Sequence, residues 1–299
     1  MNKTTSLSKA AAKANAQPET KPLAIATFTL AEASANCPAI IAKAPHTAVS
    51  ERYAFLPTEP IIKAAQTHGW KILAADMPRG SSGTVTGMHR VKMAHESNLF
   101  NKVGGEGFPT VDIINSHDRS KRLSTNIGFY RLVCSNGLVI PSGVAQSAKI
   151  AHMHQTIESV IEALEGALAL TANIAATIDD LKTRKVSKVE ASVLAHYATE
   201  LRYQGWHKVP IEPKQLLERR READMGEDLW STFNVVQENL VRGGMTSVTG
   251  RKIGGIHGFH DDLRVNKGLW AGVEALRSSG VSGLTKLRKA LEPQVAATA

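Results

Sequence analysis

Residues 110–140, TVDIINSHDRSKRLSTNIGFYRLVCSNGLVI, constrain the fold more than any other segment of this chain. Two runs rich in β-branched and aromatic residues flank a polar connection, Asn115 to Arg122, too short for anything but a hairpin-type link. A second polar signal, Cys134-Ser135-Asn136-Gly137, closes the second run and leads into a helix. The connection carries Arg119, Lys121 and Arg122 together with the hydroxyls of Ser116 and Ser120. Cations and hydroxyl donors on one turn suit an anionic polymer better than an apolar small molecule.

The surrounding pattern extends that hairpin into an α+β fold. Thr58 reads as the N-cap of a helix with Pro60 in its first turn, running towards His68. A strand follows from about Thr86 to Glu96, with His89, Val91 and Met93 on one face and Arg90 and Lys92 on the other. Further strands are expected at Thr110–Ile114 and Leu123–Cys134, giving a three-stranded antiparallel meander. Pro141-Ser142-Gly143 then opens a long helix. Its apolar stripe is Ile150, Met153, Ile157, Val160, Ile161, Leu164 and Leu168.

Beyond residue 176 the pattern is helical. Ser187 and Glu190 form a capping box. Pro213–Asp224 reads as a short charged helix in which Arg219, Arg220 and Arg221 pair with neighbouring acids. Leu229 to Leu240 is amphipathic and ends at Gly243-Gly244. A glycine-rich basic loop, Gly250 to Gly258, precedes a last helix that starts at Asp261 or Asp262. The expected organisation is therefore a flexible arm over 1–48, an α-βββ-α core over 49–176, and a helical C-terminal region over 177–299.

Composition narrows the function. The chain has 299 residues, 42% hydrophobic and 21% charged, as in an ordinary globular protein. No continuous apolar run reaches the roughly 18 residues of a membrane span, and the N-terminus lacks a secretory h-region. Two cysteines, Cys37 and Cys134, fit reduced thiols in the cytoplasm rather than a disulfide framework. Lys and Arg number 36 against 27 acids, a net charge of +9, which favours a polyanionic partner.

Enzymatic readings are thin. His117-Asp118 could begin a metal phosphohydrolase site, but no second ligand cluster completes it. His257 and His260 likewise lack further ligands. Cys134 has no identifiable base, and Gly-Lys-Ser/Thr is absent. No cofactor, metal or catalytic group is expected. The basic residues remain: Arg90, Lys92, Arg119, Lys121, Arg122, Arg131, Lys149 and His152 lining one side of the sheet and its mouth. His117 lies at the turn, and Tyr130, or Phe129 on an open face, would stack a base.

Ser50-Glu51-Arg52-Tyr53, the Asn115-Ser116-His117-Asp118-Arg119-Ser120 turn, Val133-Cys134-Ser135-Asn136-Gly137-Leu138 and Trp230-Ser231-Thr232-Phe233-Asn234-Val235 resemble the phage/plasmid-like family known as domain of unknown function 932. That family usually has Gly after the His-Asp pair, where this chain has Arg119. The resemblance implies residence on phages, plasmids or integrated elements. The element order is also similar to that of RecT and Redβ-type single-strand annealing recombinases, which implies a basic groove on an oligomeric ring and no need for ATP. The expectation is a non-enzymatic, cytoplasmic homo-oligomer, with a ring as one arrangement, that binds and anneals single-stranded DNA, RNA being a further candidate strand. The other readings are an accessory, anti-restriction or plasmid-transfer factor acting through protein partners, and a metal-dependent nuclease using His117 and Asp118.

Overall fold

A computed structural model describes residues 25–78, 85–100, 107–131, 136–139, 156–204 and 209–291. The chain enters through α1 (Leu30–Asn36), closed by a Thr29–Glu32 capping box, and a 3-10 turn at Pro38–Ile41. Next come α2 (Thr58–Thr67), β1 (Trp70–Asp76), β2 (His89–His95), α3 (Glu96–Phe100), β3 (Gly107–Asn115), β4 (Ser124–Arg131) and β5 (Asn136–Val139). Five helices follow: α4 (Ile157–Ala169), α5 (Thr171–Thr183), α6 (Lys188–Tyr203), α7 (Leu229–Arg242) and α8 (Phe259–Leu291).

The fold is α+β, with an antiparallel meander and a helical C-terminal region, but the sheet has five strands in the order β1-β2-β3-β4-β5. The expected three are its centre. β1 and β5 were not anticipated. β1 carries Ala74 and Ala75 where β-branched residues would mark a strand, and shifts register between Ile72 and Ala74. β5 occupies the Asn136-Gly137 signal that reads as a turn. The edge that β2 was expected to expose is thus covered by β1, whose own edge is bridged by Phe28 at Ile72.

Register fixes which side chains share a face, because directly paired residues point the same way. Arg90 pairs with Ile114, and Ile114 with Ser124. Arg90, Lys92, Asp112, Asn126 and Tyr130 therefore lie on one face, while His89, Val91, Met93, Val111, Ile113, Ile127, Phe129 and Arg131 lie on the other. The second face joins a single hydrophobic cluster that continues through α4 to α8 by way of Trp230, Phe233 and Trp270. Each fully buried Leu, Ile or Phe in it contributes about 1.5–3 kcal/mol.

Ile157–Thr183 is long and apolar enough to cross a membrane by length and composition. It is two helices meeting at Leu170, and its buried stripe, Val160, Leu164, Ala167, Ile174, Ile178 and Leu181, belongs to the protein's own core. The upstream half of the expected long helix lies outside the described residues.

Two local expectations change. The N-cap of α2 is Pro57, not Thr58, whose hydroxyl turns inward to His89 and Asn115. The expected helix Pro213–Asp224 is two 3-10 turns, Pro213–Leu217 and Glu222–Asp224. The stretch between them is held to other elements: Arg221 pairs with Glu238 of α7, Arg220 donates to the Gly243 carbonyl, and Arg219 donates to the carbonyls of Met225 and Gly226.

Candidate nucleic-acid interface

The β3–β4 turn is held by its own polar side chains. Asn115 Nδ2 donates to Thr58 Oγ1 at 2.9 Å and to the Leu56 carbonyl at 3.1 Å, while its Oδ1 accepts from Ser116 N. Ser116 Oγ accepts from Lys121 N and donates to the Lys121 carbonyl, both at 2.9 Å, closing the loop over the four residues between. Asp118 Oδ1 accepts from Ser120 N at 2.9 Å, and the hydrogen bonds from Ser120 hold its carboxyl below the usual range despite partial burial. The flanks are fixed as well: Tyr53 Oη donates to the Ser116 carbonyl, His46 N to the His117 carbonyl, and His117 N to the Thr86 carbonyl.

This frame sorts the motif residues. Arg119 sits in the left-handed region with φ 68°, and the side chains of Arg119, Lys121 and Arg122 are exposed. Neither Arg119 nor Arg122 has an acidic partner among the described residues. His46 and Arg52 are also exposed, on the segment that straps the turn.

His117 points the other way, which corrects its placement among the nucleic-acid contacts. It is fully buried, Nε2 lies 3.1 Å from the Ala39 carbonyl, and its ring centre lies 5.0 Å from that of His89 and 4.9 Å from that of Phe55. Burial pushes the His89 pKa down to about 4 and lowers that of His117. His89 is itself fixed by Thr58 Oγ1 at 2.8 Å and the Gly87 carbonyl at 3.0 Å. The Asn-Ser-His-Asp run thus ties the N-terminal segment to the sheet. With His117 turned into the core and Asp118 turned onto Ser120, the pair does not converge on a metal, and no cluster of three metal-ligating side chains occurs among the described residues.

Three further cations are not on an open face. Lys92 Nζ lies 2.5 Å from Asp112 Oδ1 on the neighbouring strand, with Asp112 fully buried. Arg90 contacts Asp76 at 2.8 Å, Asp262 of α8 at 3.1 Å and Asp112 at 3.7 Å. Burial opposes its charge, but Asp112, Asp76 and Asp262 outweigh that and raise its pKa. Asp262 is raised by burial even beside Arg90. Arg131 lies on the opposite face, 2.7 Å from Asp224, with both side chains almost wholly buried. These ions clamp the helical region onto the sheet instead of lining a groove, so Arg90, Lys92 and Arg131 do not share one phosphate-facing surface with the turn.

Tyr130 is half-buried and stacks on Phe108 at 5.3 Å, and Phe129 is closed off against Trp230. Lys149, His152 and Cys134 lie outside the described residues. Sequence reasoning missed Asp112 and Asp262. The alternation of Thr110, Asp112 and Ile114 opposite Arg90 and Lys92 was the available signal for the first. It also left unused a basic hairpin, Met245–Ile253, whose Thr246–Lys252 bridge presents exposed Arg251 and Lys252.

Comparison with known proteins adds a family and no activity. The model described as Domain of unknown function (DUF932) matches residues 45–273. Among curated proteins, UPF0380 protein YafZ of Escherichia coli (strain K12) is 27% identical over 248 residues, covering 80% of this chain and 88% of the relative. UPF0380 protein YfjQ of the same strain is 27% identical over 251 residues, with the same coverage. No solved structure matches this chain.

Proposed function

This chain belongs to the DUF932 family, and from that premise we propose that it is a single-stranded nucleic-acid binding protein, DNA in the first instance, that contacts phosphates through the β3–β4 turn and promotes strand annealing without ATP. The observation that carries the reading is the turn itself: three outward cations on a backbone held by at least four side-chain hydrogen bonds. A pre-formed turn loses little conformational entropy when it meets a phosphate backbone. The net charge of +9 supplies long-range attraction to the same partner. Since Arg90, Lys92 and Arg131 are committed internally, binding through the turn takes few phosphates and carries little sequence preference.

The site acts by binding and positioning, without a catalytic group. Reduced buried Cys37, whose thiol burial pushes up to about 12, suits a cytoplasmic setting. The phage or plasmid context and self-association belong to the same proposal. With β1 and β5 flanking the central strands, self-association rests on the need of annealers to hold two strands, not on open sheet edges.

Fluorescence anisotropy with single- and double-stranded DNA and RNA, run beside light scattering and an annealing assay on complementary oligonucleotides, tests the reading. Preferential single-strand binding with faster annealing supports it. Equal affinity for duplex and single strand, or annealing no faster than in buffer, contradicts it. Capture of a protein partner without nucleic-acid affinity would favour an accessory factor instead.

A further inference from the structure

The hairpin Met245–Ile253, which joins α7 to α8, is held as closely as the β3–β4 turn. Ser247 N donates to the Arg251 carbonyl at 2.7 Å and Ile253 N to the Met245 carbonyl at 2.8 Å, on either side of the Thr246–Lys252 bridge. Gln215 grips Thr246 twice, its Oε1 accepting from Thr246 N and its Nε2 donating to the Thr246 carbonyl, both at 2.9 Å. Val248 N donates to the Pro210 carbonyl at 2.7 Å. Met245 and Ser247 are buried, whereas Thr246 and Val248 are exposed, so one side of the ribbon is seated and the other is open.

The tip is slim and the flanks are cationic. Gly250 has φ 80°, which favours glycine, and a Cβ there would meet no atom within 4 Å. From Ser247 to Gly250 no side chain is larger than valine, and Val248 is itself 74% exposed. Arg251 and Lys252 are exposed on the return strand. At the neck, Arg220 donates to the Gly243 carbonyl and Arg202 to the Gly254 carbonyl. None of these four cations pairs with a carboxylate among the described residues. From Asn239 to His260 the sequence has no Asp or Glu. Carboxylates on the segments that hold the hairpin are engaged elsewhere: Glu200 with Arg288, Glu238 with Arg221, and Glu212 and Glu218 with Lys214.

We propose that this hairpin is a second nucleic-acid site, and that it binds duplex DNA with the ribbon in the major groove. A two-stranded ribbon fits a groove about 12 Å wide, and a tip of small residues lets its backbone approach the base edges. Val248 meets apolar edges such as the thymine methyl, while Arg251 and Lys252 reach phosphates on the groove walls. The composition selects the partner. Surfaces for single strands stack bases on aromatic rings, and the stretch from Met245 to Gly258 has none. The major groove of an RNA duplex is too deep and narrow for side chains to read. A lipid surface calls for larger apolar side chains than one valine. The site goes beyond the single-strand reading: the strand is taken at the turn and the duplex at the hairpin, and the two assignments fail separately.

The test is fluorescence anisotropy of the full chain with a labelled blunt-ended DNA duplex and with either of its strands, across a range of salt. Arg251→Ala/Lys252→Ala should weaken duplex binding about tenfold or more and lower the slope of log affinity against log salt by about 2, at about 0.9 per lost contact. Its single-strand affinity should stay within about twofold of the parent. Val248→Ser should weaken duplex binding about threefold to tenfold with the slope unchanged. Replacing Arg119, Lys121 and Arg122 with Ala should leave duplex affinity within about twofold. Circular dichroism checks each fold; should the alanine pair fold poorly, Arg251→Gln/Lys252→Gln keeps the apolar stems and removes the charge. If no single strand bound but this duplex pattern held, the turn reading would fail and the hairpin assignment would stand. Undetectable duplex binding, equal losses on duplex and single strand in the hairpin variant, or displacement of the duplex by poly-glutamate at matched charge overturns the proposal, the last result marking a surface for acidic protein.

Discussion

Buried ionisable side chains explain why individual residues of the motif are where they are. His89 keeps its neutral form in the folded chain down to about pH 4, whereas an unfolded histidine takes a proton near 6.5. Between those values the unfolded state binds more protons, so stability is complete above about pH 6.5 and declines as pH falls towards 4. At pH 5 the loss from His89 alone is about 2 kcal/mol. His117, also lowered, acts in the same sense, while Asp262, raised by burial, opposes it. The readout is therefore the difference between variants: urea unfolding at pH 7.5 and pH 5 should show a smaller acid loss in His89→Asn than in the parent, and an equal loss would contradict the burial argument. Arg131 gives a second prediction. Arg131→Met strands the buried carboxylate of Asp224 and should cost about 3–5 kcal/mol, most of it regained in Arg131→Met/Asp224→Leu. Strand type and alternation were legible at Arg90, Lys92 and His89 from period two alone. That the polar face was also covered was not legible, because the covering residue, Asp262, lies 172 positions beyond Arg90 in the chain.

Among the elements, the turn and its two strands followed directly from the sequence, since hairpin links are local. β1 and β5 escaped because an alanine-containing run beside Gly69 and an Asn-Gly step carry weak strand signals, and tertiary pairing decided them. Arg119 is the informative residue. Its φ of 68° lies in the left-handed region that favours glycine, and its presence here adds charge at the price of backbone strain. Arg119→Gly should raise stability by up to about 1 kcal/mol, with the turn hydrogen bonds intact. The same substitution should lower the salt slope of single-strand binding by about 0.7. A fall in stability would mean that the arginine side chain contributes to the fold.

For the whole molecule, one hydrophobic cluster runs from the sheet through α8, and the Arg90–Asp262 and Arg131–Asp224 pairs cross from strands to the helical region. Circular dichroism and tryptophan fluorescence should therefore report one coincident urea transition; two separated transitions would show that the sheet and the helices fold apart. The same burial divides the chain's positive charge into cations that hold the fold and cations that face solvent, a division that the net charge of +9 cannot convey. The central claim is that the turn belongs to the second group and is the site of contact. It is tested most directly by the salt dependence of single-strand affinity in the Arg119/Lys121/Arg122→Ala variant, beside a variant lacking three exposed cations elsewhere, Lys188, Lys214 and Lys289. The turn variant should lower the slope of log affinity against log salt by about 2, at about 0.7 per lost contact, with the control slope unchanged. Equal slopes in the two variants would contradict the assignment of the turn as the interface.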